Sequence, residues 1–191
     1  MRFRGKDGLM LRVIAIYRPC DSRGESTVAA QHRTFLLNEE IDENPRQVFL
    51  DDLSLEITEW RTTGDQLIIT GDINDDIRSP LIQTMFASHD MHETILSLHP
   101  EEPPLATFIA NHQHKVIDGI WVSRGIQPVR AGYTPFGDFD HRTPWIDIIQ
   151  QSVFGHKILP TSNPNARRLQ LRLPKVVHNY QTLYVERTSN C

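Results

Sequence analysis

An apolar run that ends abruptly in acidic residues is the feature that most constrains this chain. Residues 67–70 read LIIT and are followed by Gly71, Asp72 and Asn74 within the sequence GDINDD. A short run of this kind is typical of a buried strand, and Gly71 lets the backbone turn sharply where the strand ends. In extended backbone, Asp72 and Asn74 would point the same way because they are two positions apart.

Polar side chains at the carboxyl end of a buried strand suit a metal or phosphate site. Taken alone, the same residues also describe a strand followed by an ordinary Asx turn. The choice between the two interpretations therefore depends on the rest of the chain.

Length and composition are those of one globular domain with a full core. The chain has 191 residues, of which 39% are hydrophobic and 23% are charged, and both fractions are ordinary. No apolar run reaches the roughly 18 residues of a membrane span, and the basic start MRFRGKDGLML lacks the apolar core of a signal peptide. Cys20 and Cys191 give no disulfide framework, which favours a reducing intracellular compartment, nuclear or cytoplasmic.

The charge is unevenly spread. Acidic residues outnumber basic ones over residues 21–65, whereas Glu186 is the only acidic residue over 156–187. A basic tail on an acidic body could contact phosphate groups, although a tail this sparse is more often simply solvated. We predict one domain over residues 9–150 and a basic tail over 151–191, with a short amphipathic helix at 175–186.

Strands and helices alternate along the chain, which predicts a mixed α/β architecture. Besides the run before Gly71, strands are predicted over residues 9–17, 105–110, 116–123, 128–133 and 145–149. Helices are predicted over 27–43 (Val28, Phe35, Leu36 and Ile41 inward), from Asn44-Pro45 to Trp60, and from Ser79-Pro80 to His89. Residues 90–104, with three prolines, are expected to be irregular, and NHQHK at 111–115 is typical of a turn.

Three stretches then occur in one order: GDIND at 71–75, VIDGIWVS at 116–123 and DFDHRTPWIDI at 138–148. Their order and spacing resemble the endonuclease/exonuclease/phosphatase superfamily, which includes apurinic endonucleases, inositol polyphosphate phosphatases and retrotransposon endonucleases. The family's hallmarks are a strand ending in G-D-x-N, a strand reading I-D, and a late S-D-H before the last strand. In addition, AIYRP at 15–19 resembles an earlier strand that closes in a tyrosine. RRLQLRLP at 167–174 resembles the linker of retroelement-type reading frames.

The resemblance implies a fold and an activity. The fold is an α/β four-layer αββα sandwich, and the activity is hydrolysis of phosphodiester bonds with Mg²⁺ or Mn²⁺ as cofactor. DNA is the expected partner, and an endonuclease of retroelement type is the leading hypothesis.

By position, Asp72 resembles the aspartate that activates the attacking water and helps to bind the metal. Asn74 resembles the asparagine that holds the same water or a phosphate oxygen, and Tyr17 resembles a tyrosine that contacts the phosphate. The residue types fit this chemistry, because a carboxylate near a water can take its proton and carboxylates are ligands that Mg²⁺ prefers.

The late motif supplies the other half of the implied site. His141 resembles the histidine that contacts the scissile phosphate, Asp118 the carboxylate that orients it, and Asp140 a metal ligand beside it. A histidine near neutral pH can donate to a phosphate oxygen, and a neighbouring aspartate fixes its tautomer.

The chain also departs from the family pattern. Phe139 replaces the serine of S-D-H, and Gly119 replaces the usual aromatic residue after I-D. The family's first strands carry an asparagine and a metal-binding glutamate, and they should lie before Leu9. We therefore expect an N-terminally truncated chain that lacks part of the first sheet. Such a chain would expose an apolar sheet face and need a missing segment or an adjoining domain of a larger polyprotein.

The missing glutamate motivates an alternative from another class. The chain could be a catalytically dead remnant that acts at most as a nucleic-acid-binding or interaction module. A third hypothesis, a phosphatase of the same superfamily, requires a basic pocket at the site, and residues 111–115 contribute only Lys115.

Overall fold

A computed structural model of the protein describes residues 1–21, 24–103, 105–110, 113–136 and 140–155, except for the side chains of residues 110 and 113. Internal contacts divide the chain into one unit over Met1–His156 and another over Lys157–Cys191. The predicted helix at 175–186 and the basic tail beyond residue 155 lie outside the described residues.

Strands and helices are distributed along the first unit as follows. The strands are β1 (Arg2–Arg4), β2 (Met10–Tyr17), β3 (Asp65–Asp72), β4 (Met91–Glu93), β5 (Phe108–Ala110), β6 (Gln113–Lys115), β7 (Asp118–Ser123), β8 (Pro128–Tyr133) and β9 (Pro144–Ile148). The helices are α1 (Val28–Asn38), α2 (Pro45–Thr62), α3 (Pro80–Ala87), α4 (Thr94–Leu98) and α5 (Gln150–Phe154). No helix of the described residues has the length and apolar character to cross a membrane.

One five-stranded sheet, in the order β1-β2-β3-β7-β4, forms the centre of the fold. Strands β2 and β3 run parallel, whereas the other neighbours in this sheet are antiparallel. Two antiparallel pairs, β5–β6 and β8–β9, complete the strands. The predicted α/β class is confirmed.

Helices α2 and α3 cover one face of the sheet. The predicted stripe of α2 is confirmed at Leu53 and Ile57, which are buried against Leu67 and Ile69 of β3. The helix begins as predicted, since Asn44 accepts a hydrogen bond from the amide of Arg46 at 2.9 Å and Pro45 takes the first helical position.

The opposite face of the sheet packs on β9 and α5. Here Leu11, Ile68, Ile120 and Val122 meet Ile146 and Ile148 of β9 and Val153 of α5. Within the described residues, the second sheet of the predicted sandwich is represented by the β8–β9 pair. The face is open at the carboxyl end of β2, where Ala15 and Tyr17 are exposed.

Local predictions were wrong in α1, in residues 90–104 and at Gln113–Lys115, which were expected to belong to a turn and form β6. In α1, Ala29 and Leu36 are buried, whereas Phe35 is 59% exposed and Val28 is also exposed. Within each pair, Ala29 with Leu36 and Val28 with Phe35, the two residues are seven positions apart, so the helix has two adjacent apolar stripes. Periodicity fits both stripes equally well, and packing against α2 decides which one is buried. Residues 90–104 are not irregular throughout, because they contain β4 and α4, and Glu93 caps α4 by accepting from the amide of Leu96 at 2.6 Å.

Candidate active site

Three of the predicted site residues lie in one row across the sheet. Tyr17 of β2 pairs with Asp72 of β3, and Asp72 pairs with Asp118 of β7. Residues that pair directly between neighbouring strands project from the same face, which here is the face that carries β8–β9. The sheet register therefore brings together residues that are far apart in sequence.

The turn after β3 differs from the prediction. Asn74 adopts a φ of +50°, and its amide donates to Oδ1 of Asp72 at 2.7 Å, which forms an Asx turn. The expectation that Asp72 and Asn74 point the same way in extended backbone is therefore wrong. The side-chain amide of Asn74 instead donates to the carbonyl of Arg18 at 2.8 Å.

Asp118 and His141 form a direct pair. Nδ1 of His141 lies 2.9 Å from Oδ2 of Asp118, and Asp118 is only 7% exposed. An ionised carboxylate can only accept, so Nδ1 carries the proton in this contact, and Nε2 is not used by it. The ring of His141 also packs on Phe108, with 4.8 Å between the ring centroids.

Asp72 joins this pair in a compact cluster. One possible ligand atom from each of Asp72, Asp118 and His141 lies within 4.8 Å of the other two, and this is the one such group among the described residues. Burial raises the pKa of Asp72 above its ordinary value, and the charge of Asp118 raises it further, against the opposing effects of the Asn74 amide, His141 and Arg46. A half-buried carboxylate that feels the charge of a second carboxylate marks a place where a cation would be favoured.

The donor set suits a divalent metal ion. Carboxylate oxygens are the ligands that Mg²⁺ prefers, and Mn²⁺ also accepts imidazole nitrogen. Asp72 has Oδ2 free of the Asx turn, whereas Oδ2 of Asp118 is already bonded to His141. The residues present therefore fit such an ion, and Asp72 is the carboxylate whose Oδ2 is more available to bind it.

The remaining predicted residues lie at the edge of the cluster. Tyr17 is 48% exposed; burial raises the pKa of its hydroxyl, although a hydrogen bond with Asn74 opposes the rise. Asp140 is exposed, and it is not a member of the cluster found among the described residues. Its carbonyl accepts from the amide of Ile109 at 3.1 Å.

An ion-pair network beneath the Asx turn was not predicted from the sequence. Nη1 of the buried Arg18 lies 2.9 Å from Oδ2 of Asp75, and Nη2 of Arg46 lies 3.1 Å from the same oxygen. Arg46 also donates to the carbonyls of Asn74 and Pro19. The network holds the start of α2 against the turn. In the sequence, the one feature that Arg18 and Arg46 share is that each is next to a proline, which does not predict their pairing with Asp75.

Comparisons with known proteins find similarity in solved structures alone. No family model matches the chain, and no curated protein sequence matches it. The chain is similar to the APE2 catalytic domain of Xenopus laevis, with 16% identity over 83% of this chain and 59% of that one and a TM-score of 0.49. It is similar to the 3′ phosphatase NExo of Neisseria bound to a product DNA hairpin, with 14% identity over 76% and 63% of the two chains and a TM-score of 0.43.

A third similar structure is an endonuclease/exonuclease/phosphatase family protein of Bacteroides thetaiotaomicron, with 14% identity over 78% of this chain and 51% of that one and a TM-score of 0.40. The chain spans less than two thirds of the length of each of these structures. One of these similar structures is an endonuclease/exonuclease/phosphatase family protein, from the superfamily that the motifs resemble.

Proposed function

We propose that this chain hydrolyses phosphodiester bonds of DNA with the help of a divalent metal ion. The observation that carries the proposal is the cluster of Asp72, Asp118 and His141, whose ligand atoms lie within 4.8 Å of one another. The superfamily resemblance supports it, because each of the three residues occupies a motif position.

Asp72 is the proposed base that accepts a proton from the attacking water. Its Oδ1 is held by the amide of Asn74, which fixes the carboxylate and leaves Oδ2 for the water. Burial and the neighbouring Asp118 raise the pKa of Asp72, and a raised pKa brings a carboxylate closer to the working pH of a general base.

His141 is the proposed contact to a phosphate oxygen. Its Nδ1 proton is used by Asp118, so the substrate would meet Nε2. Asp118 has little freedom to move because it is buried, and the imidazole is therefore presented in one orientation. Tyr17 is about half exposed, and its hydroxyl is the proposed further donor to the phosphate.

A bound Mg²⁺ or Mn²⁺ would supply positive charge against the phosphoryl oxygens. Asp72 and Asp118 are the carboxylates of the cluster that would hold it. The role of Asp140 as a ligand stays a prediction from the resemblance. An endonuclease of retrotransposon type is the subgroup we propose, supported by the RRLQLRLP stretch, which lies outside the described residues.

A nucleic-acid-binding module without hydrolytic activity is the second candidate. Two observations favour it: the cluster contains no glutamate among the described residues, and one oxygen of Asp72 is already engaged in the Asx turn. In this case the site would bind phosphate groups without cleaving the bond.

The nicking of supercoiled plasmid with Mg²⁺, with Mn²⁺ and with EDTA tests the proposal. We expect metal-dependent nicking, with Asp118→Asn and His141→Ala slower by about 10²- to 10⁴-fold because each removes half of the same pair. Asp76→Asn is the matched control, since Asp76 lies in the segment after Asp72 but is paired with Arg78 outside the cluster, and it should nick within about twofold of wild type.

The metal dependence of Asp140→Asn separates the two sets of ligands. If Asp140 holds the ion, this variant needs more Mg²⁺ for half-maximal nicking, whereas a ligand set within the cluster predicts an unchanged requirement. Wild-type protein that retards DNA in a gel but never nicks it, with either ion, would replace hydrolysis with the binding-module candidate.

A further inference from the structure

The catalytic pair proposed above joins two segments that are 23 residues apart in sequence. Asp118 begins β7, whereas His141 lies between β8 and β9 in the chain. A hydrogen bond of 2.9 Å between them requires that the two backbones be held in fixed relation. The segment 106–109, at the start of β5, contacts both.

Thr107 fixes the backbone on the Asp118 side. Its side chain has no exposed surface, and its Oγ1 accepts from the amide of Ile117 at 2.9 Å and from that of Asp118 at 3.1 Å. Its own amide donates to the carbonyl of Lys115 at 2.7 Å. One hydroxyl therefore serves two buried amides at the point where Asp118 enters the sheet.

The same segment fixes the backbone on both sides of His141. The carbonyl of Thr107 accepts from the amide of Arg142 at 2.7 Å, and the amide of Ile109 donates to the carbonyl of Asp140 at 3.1 Å. Phe108 lies between these bonds and packs on the ring of His141. The residues that flank His141 in sequence are thus both bonded to residues that flank Phe108.

We propose that Thr107 is a positioning residue, which sets the Asp118–His141 hydrogen bond through its hydroxyl on one side and its carbonyl on the other. The kinetic consequence rests on the proposed function, whereas the geometry of the pair does not. A threonine that only satisfied buried amides would affect stability and leave the tautomer of His141 unchanged.

Thr107→Val and Thr107→Ser separate the hydroxyl from the shape of the side chain. Valine keeps the volume but removes the acceptor of two buried amides, whereas serine keeps the acceptor. Thr94→Val is the matched control, because Thr94 is also fully buried and its Oγ1 has no hydrogen-bond partner among the described residues.

Two readouts are measured on the full chain. Long-range ¹H–¹⁵N correlation spectra of His141 report which ring nitrogen carries the proton. We expect a single Nδ1–H tautomer in wild type, Thr107→Ser and Thr94→Val, and a mixture in Thr107→Val. In the nicking assay, Thr107→Val should lower kcat by about 10- to 100-fold with KM within about twofold, and serine should restore it.

Thr107→Val with an unchanged His141 spectrum would overturn the positioning role, as would a loss of kcat that serine does not restore. If the valine variant fails to fold, Thr107→Cys decides by the same readouts, since its thiol is a weak acceptor of similar size. The expected spectra together with no nicking by wild type would refute the proposed function and leave the positioning role standing.

Discussion

Asp65 is a buried carboxylate at the start of β3 and is held by two arginines. Its side chain has no exposed surface, and it lies 2.8 Å from Nη2 of Arg2 and 2.9 Å from Nε of Arg12. Burial alone would raise the pKa of Asp65, but the hydrogen bonds and charges of Arg2 and Arg12 outweigh it and hold the pKa below its ordinary value. The ionised form is therefore the one that the fold favours.

The sign of this pKa shift predicts an acid-sensitive contribution to stability. Because the folded-state pKa lies below the ordinary value of 3.8, the contribution is complete above that value and is lost as the pH falls through the folded-state pKa. We expect Asp65→Asn to lower the free energy of unfolding at pH 7 by roughly 1–3 kcal/mol, measured by urea denaturation. The deficit should shrink below about pH 3.8.

Asp147→Asn is the control for this prediction. Asp147 also pairs with an arginine, but both partners are exposed, so its loss should cost below about 1 kcal/mol at either pH. An Asp65→Asn deficit that is as large at about pH 3 as at pH 7 would mean that the ionised carboxylate is not its source.

Single residues of the candidate site were predictable from the sequence only where a motif named them. Asp72, Asp118 and His141 were assigned by the resemblance, and the structure brings them together. Arg46 was not predicted, because its role depends on bonds to residues 27–29 positions away, and no periodicity reports such contacts. Thr107 was missed for the same reason, since its bonds depend on how β5 meets β7.

Among the elements, the parallel pair β2–β3 depends on one glycine. A Cβ at Gly71 would lie 1.9 Å from the carbonyl oxygen of Ile16, so the two strands can approach this closely only without a side chain there. From the sequence, Gly71 was expected to form the turn, whereas the strand continues through Asp72. The glycine is needed for close approach between strands.

Gly71→Ala should therefore be more harmful than an alanine at a glycine with free space. Separating the strands to admit the methyl group should cost about 1–3 kcal/mol or more, and it would shift Asp72 relative to Tyr17. Gly64→Ala is the control: Gly64 has a φ of +81°, but a Cβ there would meet nothing within 4 Å, so only the backbone strain of roughly 1–2 kcal/mol applies.

Urea denaturation and plasmid nicking distinguish the two glycine variants. Gly71→Ala should lower both stability and nicking, whereas Gly64→Ala should lower stability alone. Equal nicking by the two variants would show that the β2–β3 approach does not position Asp72.

Elements were predictable where burial and capping signals agreed. Helix α2 has an Asn-Pro start and one apolar stripe, and both were confirmed. Helix α1 has two adjacent apolar stripes, so the sequence could not decide which one packs. Helix α4 is only five residues long, and Glu93 caps it with one carboxylate oxygen. The other oxygen of Glu93 accepts from the amide of Ile120 on β7 at 3.1 Å. Because the position of this cap depends on a distant strand, the local sequence gives little indication of the helix.

At the scale of the whole molecule, α5 connects the end of the first unit to its beginning. Val153 is buried with Leu11 of β2, and a Cβ at Gly5 would lie 2.7 Å from the carbonyl oxygen of Val153. The first unit extends over Met1–His156. The boundary predicted from the sequence falls after residue 150, within α5, because the last predicted strand ends at residue 149 and the long-range packing of Val153 carries no compositional signal.

This packing predicts how the chain tolerates shortening from its carboxyl end. A chain of residues 1–156 keeps α5 and should unfold cooperatively within a few degrees of the full chain, because the core residues named above all lie within it. A chain of residues 1–149 loses Val153 and Phe154. Its free energy of unfolding should be lower by about 1.5–3 kcal/mol or more, because burying one side chain of the size of valine contributes about that much.

Thermal unfolding followed by circular dichroism compares the three chains. The matched variant Val153→Ala in the full chain separates the lost side chain from the lost helix, and it should account for part of the deficit of the shorter chain but not all of it. A chain of residues 1–156 that unfolds as early as the chain of 1–149 would show that residues 157–191 contribute to the first unit's stability. The domain boundary would then have to be moved toward the carboxyl end of the chain.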